Sequence, residues 1–132
     1  MTKPSDIVEY NNQVDASAKA TCEWLAAQLD LHLPAAEAKV WHGHPVWFLD
    51  GNPIAGYSEM KIGIQLLFWS GQSFATPGLK PVGKFKAAGV TVKSIDEPGV
   101  EAVTAWLVES TAIQWDYQNL PKLRTLEKRT TF

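Results

Sequence analysis

Two histidines, His42 and His44, are the first residues of this sequence that could do chemistry; they lie in the string WHGHPVW at positions 41–47. On an extended strand, alternate side chains share a face, so a His-x-His pair brings two imidazoles within reach of one metal ion. Spacing supplies no third ligand, so no metal is specified; His32, Asp50, Glu59 and Asp116 are candidates by residue type alone. The competing reading makes both rings polar groups of an edge strand, bonded to backbone or water. Trp41, Trp47, Tyr57 and Trp69 form an aromatic set around them. Such a set either packs a core or lines a pocket for a flat or cationic ligand. Trp41 and Trp47 share one strand parity and His42 and His44 the other if no bulge intervenes, so at most one set faces a covering layer. Lys61, at the entrance to a strand, would hold an anionic group or simply point into solvent. The candidate ligand-binding residues are therefore His42, His44, Trp47, Tyr57, Lys61 and Trp69.

Enzyme signatures are missing. The chain has no glycine-rich phosphate loop, no G-x-S-x-G, no H-E-x-x-H and no C-x-x-C, so no catalytic residue and no cofactor is assigned. Ser70 and Ser73 have no spacing-based link to a histidine. Cys22 is the only cysteine, which excludes a disulfide framework and a cysteine-rich zinc site. It falls on an apolar stripe, where a thiol is inert packing.

The elements that must position these residues follow from periodicity. Residues 5–31 read as helix with a break near Asn11 and Asn12, and Asp15 is a helix N-cap candidate. Ala18, Cys22, Leu25 and Leu29 draw one stripe along it. Strands are expected over 38–41, 46–49, 54–58, 62–69 and 90–93. Asp50-Gly51-Asn52-Pro53 is the strongest turn signal among them. In the fourth strand Ile62, Ile64, Leu66 and Phe68 share one face, and Gly63, Gln65, Leu67 and Trp69 the other. Glycines and prolines make 70–88 a loop. A last helix runs from a start near Ser94 or Asp96 to about Gln118, with Val100, Val103 and Leu107 along its stripe; Pro121 closes it. The short links imply an antiparallel meander. The expected fold is α+β: a two-layer domain of helix, about five mainly antiparallel strands, then helix. Helices gathered on one sheet face leave the other uncovered, and an apolar-aromatic face in water points to a ligand, a partner or a second subunit.

Composition bounds the rest. The 132 residues make one domain, with a helical segment over 1–34 and a basic tail over 120–132. Residues 1–119 carry a formal charge of −5 and the tail +3. An acidic body argues against nucleic acid as a partner, because phosphate neutralisation needs clustered Lys and Arg. No signal peptide and no membrane span are expected, and a reducing cytoplasm fits the single cysteine.

The string WHGHPVWFLDGNPIAGYS-x-x-K-x-G-I-x-LLFWSG, with GLKPVGKFKAAGV and IQWDY after it, resembles the YdhG-like domain family, a domain of unknown function. The resemblance covers about residues 35–117. It implies a compact α+β fold and, because some bacterial members are called iron chaperones or frataxin-like proteins, a role in iron handling. It assigns no catalytic residue. The expectation is a small-ligand or metal-binding domain rather than an enzyme, with homodimerisation through the aromatic sheet face as the alternative.

Overall fold

A computed structural model describes residues 5–61, 63–82, 86–93 and 99–115. Three helices and six strands run in the order α1 (Ser5–Gln13), α2 (Ala16–His32), β1 (Glu37–Trp41), β2 (His44–Leu49), β3 (Asn52–Met60), β4 (Gly63–Phe68), β5 (Lys80–Pro81), β6 (Ala88–Val92) and α3 (Val100–Ala112) among the described residues. The strands form one antiparallel sheet in the order β1-β2-β3-β4-β6-β5. This is the expected α+β class with one strand more than anticipated: the two-residue β5, which pairs with β6 inside the segment expected as loop.

Two tight turns shape the first three strands. Asp50 and Gly51 take φ of 51° and 78°, and His42 and Gly43 take 52° and 86°. Left-handed φ at both central residues is the geometry of the type I′ hairpin turn, whose twist matches that of the strands it joins, and glycine accepts it at no steric cost. The first turn follows the sequence signal. The second falls at Gly43, where a break in the extended segment is expected, and it places His42 in a turn rather than on a strand. Pro45, expected to interrupt the extended segment, lies inside β2.

β4 keeps the alternation its sequence implies. Ile64, Leu66 and Phe68 are buried, whereas Gly63, Gln65 and Leu67 are half-buried. The buried set faces the helices: Phe68 lies 6.3 Å, ring centre to ring centre, from Trp106 of α3. Cys22, Leu25, Ala26 and Leu29 of α2 and Val103, Trp106 and Leu107 of α3 complete that core. The helix break falls at Val14–Asp15, a little after Asn11–Asn12. Asn11 is buried in α1 because its side-chain oxygen accepts the Tyr57 hydroxyl at 2.6 Å. Asp15 occupies the N-cap of α2, where its carbonyl accepts the Ala18 N–H at 2.8 Å while its carboxylate bonds the Ser17 hydroxyl. Leu33 ends α2, its N–H donating to the Leu29 carbonyl. α3 stops at Ala112 instead of near Gln118, and Ile113 turns extended. Val100, expected on the buried stripe, is exposed. The start signals at Ser94 and Asp96, the stop at Pro121 and the basic tail lie outside the described residues. No described helix is long and apolar enough to cross a membrane.

Candidate functional site: a charged cleft at the end of the sheet

The six candidate residues go to three separate places. Trp47 and Tyr57 lie in the core beneath the helices, 0% and 1% exposed. Trp47 donates its indole N–H to Asp30 of α2 at 2.9 Å, and its ring stands 6.0 Å from that of Tyr57. Burial raises the Tyr57 hydroxyl pKa well above the ordinary phenol value, against the pull of its bond to Asn11. Each buried polar atom has a partner, so these two aromatics fasten α1 and α2 to the sheet.

His42, His44 and Trp69 lie with Trp41 and Phe48 on the sheet face away from the helices. In β1, Ala38 and Val40 pack against the core, while Glu37, Lys39 and Trp41 point outward and are exposed. The Trp41 ring centre lies 5.4 Å from Phe48, 6.3 Å from Trp69 and 4.1 Å from His42. Lys39 covers Phe48 at 4.9 Å and pairs with Glu37 at 3.2 Å. The hairpin register sets Trp41 opposite His44. His44 Nδ1 is buried with no hydrogen-bond partner. Its pKa is lowered by desolvation and also by the neighbouring His42, with the Pro45 backbone opposing. Among the described residues no group of three or more His, Cys, Asp or Glu side chains is placed to hold a metal ion.

Lys61 is elsewhere, in the turn between β3 and β4. There it lines a cleft of about 910 Å3, within the roughly 300–1,000 Å3 usual for small-molecule sites. One wall is the first turns of α2, with Asp15, Ser17, Ala18 and Thr21; the other is the strand ends, with Glu59, Met60, Lys61, Gly63 and Lys93. Ile64 and Val92 close its floor but are buried in the core, and Met60 is the exposed apolar side chain of the lining. Glu59 is fixed twice: its carboxylate accepts the Asp15 N–H at 2.8 Å, and its own N–H donates to the Tyr10 hydroxyl at 2.9 Å. Lys61 and Lys93 make no ion pair with a described residue. The cleft thus presents two carboxylates and two ammonium groups beside an apolar surface. Such a lining can grip and orient a charged organic molecule, and it contains no thiol or imidazole nucleophile.

Of these residues the sequence singled out Lys61 alone. Asp15 had a helix-cap reading, Glu59 was a metal-ligand candidate by residue type alone, and Lys93 had no binding role. Cys22 lies close by but stays packing: burial first, then the charges of Glu59 and Glu23, push its thiol up to about 12. Ser70 and Ser73 hold Trp115. Ser70 Oγ accepts the Trp115 N–H at 2.8 Å and Ser73 Oγ accepts the Trp115 indole N–H at 3.0 Å. Glu109 of α3 likewise holds a loop, accepting the N–H groups of Ala75 and Thr76 at 2.7 and 2.9 Å and the Thr76 hydroxyl. Despite an opposing desolvation effect, those bonds lower its pKa.

No protein-family model matches this chain, no curated protein matches it, and no solved structure matches it.

Proposed function

We propose that this chain is a binding domain rather than an enzyme, and that it takes a small organic molecule bearing an anionic group in the cleft at the end of the sheet. The observation that carries this reading is the pair of ammonium groups, Lys61 and Lys93, lining a cleft of about 910 Å3 without an ion pair to any described residue. Lys61 is the anchor of the anion, and Lys93 reinforces it; the apolar surface of Met60 and Ala18 takes the ligand's body. The two lysines offset the charge of Asp15 and Glu59, and two carboxylates make a poor ligand set, so an organic ion suits the cleft better than iron. The resemblance to YdhG-like domains supports a binding role in general, and the buried Cys22 thiol suits a reducing cytoplasm. The test is isothermal titration of the full chain with small carboxylates such as 4-methylpentanoate. Saturable binding weakened about tenfold in Lys61→Ala is expected, since a charge-assisted contact contributes roughly 1.4 kcal/mol. Binding unchanged in that variant overturns the reading.

A second reading concerns the open face. Trp41 is 36% exposed and touches Trp69 and Phe48 on a sheet surface with no described element over it, which favours a homodimer contact there. Sedimentation at rising concentration tests it. A dimer that Trp69→Ser converts to a soluble monomer supports it, and a monomer at all concentrations excludes it.

A further inference from the structure

We propose that the ligand of this cleft is zwitterionic: a compact free molecule with an ammonium and a carboxylate on a short apolar body, of the α-amino-acid type. The inference rests on the cleft being the binding site and goes on to name the ligand's chemistry.

The lining charges are sorted by element. Both carboxylates stand where α2 meets β3, and the Asp15 N–H bond to Glu59 at 2.8 Å ties them together. One oxygen of Glu59 takes that bond, and the other accepts none from a described residue. The ammonium groups stand with Glu59 at the strand ends, facing Asp15 across the cleft. Lys61 sits in the β3–β4 turn and Lys93 directly follows β6. β4 and β6 pair antiparallel with Ile64 opposite Val92, so Gly63 and Lys93 are neighbours at the sheet end. Gly63 takes φ of 149°, and a Cβ there would come within 2.8 Å of Thr91 Cγ2 and 3.6 Å of Lys93 Cγ. The missing side chain makes room for the Thr91 methyl, while the Lys93 stem lies at ordinary contact distance.

The separation of charge follows from this placement. The one ion pair among the described residues is Lys39 with Glu37, far from the cleft in β1. Neither Asp15 nor Glu59 closes on Lys61 or Lys93, and both sets are left to a ligand. A molecule with a single charge satisfies one side only and leaves the other to water. A zwitterion answers both, and opposite charges placed on a ligand at the correct spacing fix its orientation as well as its affinity. Ala18 and Met60 then meet the apolar body. The cleft is open to solvent, so each charged contact is worth less than a buried one.

Three probes of one carbon skeleton separate the possibilities: L-leucine, its decarboxylated analogue 3-methylbutylamine and its deaminated analogue 4-methylpentanoate. Each is titrated calorimetrically into the full chain and into Glu59→Gln and Lys61→Ala. Glutamine keeps an acceptor for the Asp15 N–H, so the fold at that corner is retained. Leucine is expected to bind about tenfold more tightly than either analogue. Glu59→Gln should erase its advantage over 4-methylpentanoate, and Lys61→Ala its advantage over 3-methylbutylamine. If 4-methylpentanoate binds as tightly as leucine, the zwitterion inference is overturned while the anion-binding cleft stands. If none of the three binds, the cleft itself fails as a site and the inference falls with it.

Discussion

Trp41 and Trp47 stand six residues apart in one hairpin and do opposite things. Trp47 is fully buried under α2, and its indole N–H is bonded to Asp30. Trp41 lies on the other face, 36% exposed, against Trp69 and Phe48. The two are chemically the same, so position alone separates a fastener of the fold from a member of a surface cluster. A lesson follows for the whole open face. Its aromatics contact one another, and its one ion pair among the described residues is internal to β1. Four charged side chains, Asp15, Glu59, Lys61 and Lys93, meet instead in the cleft at the sheet's end.

The contrast can be broken by mutation. The largest expected effect is Trp47→Ala, which removes a buried indole and leaves Asp30 without its donor; denaturant unfolding should show a loss of about 3–5 kcal/mol. Tyr57→Phe leaves the shape intact and strands buried Asn11. It should cost about 1–3 kcal/mol, and a loss near zero would mean that the bond to Asn11 is not formed in solution. Trp41→Ala should cost less than about 1 kcal/mol, as is usual for substitutions outside the core. If Trp41→Ala proved as damaging as Trp47→Ala, the assignment of the two faces would be wrong.

The smallest effect is a pH dependence on the open face. The folded-state pKa of His44 lies below its ordinary 6.5, chiefly through desolvation. The unfolded chain therefore takes up that proton more readily, so stability is full above pH 6.5 and falls as the pH drops through and below it. Melting temperature should decline from pH 7 to pH 5.5, and His44→Gln should flatten the decline. The lowered carboxyl pKa of Glu109 acts further down, where stability is present above its ordinary 4.5 and lost on acidification below it. An unchanged slope in His44→Gln would show that His44 is not desolvated in solution.

Much of the fold was legible because it depends on local pattern. The stripe of Cys22, Leu25 and Leu29, the alternation of β4 and the Asp50-Gly51 turn each carry their own signal. The placement of the tryptophans did not, and the cause is the His42-Gly43 turn. Trp41 and Trp47 share a parity only along an unbroken strand. A two-residue turn sets Trp41 directly opposite His44 on the same face, so Trp47, three residues further on, points the other way. Any non-glycine residue is uncommon at a left-handed turn position, and Gly43 was the main cue. The cleft was less legible still. Asp15, Glu59, Lys61 and Lys93 come from α2's cap, β3, a turn and the end of β6. No spacing rule joins residues that only the sheet topology brings together. Lys61 could be flagged by its place before a strand, but not its neighbours.

The most direct test of where this protein binds is an amide chemical-shift map of the full chain titrated with L-leucine. Saturable shifts clustered at Thr21, Glu59, Lys61 and Lys93 are the result expected of a ligand site at the sheet's end. Shifts centred on Trp41 and Trp69, or no saturable shift at all, would contradict it.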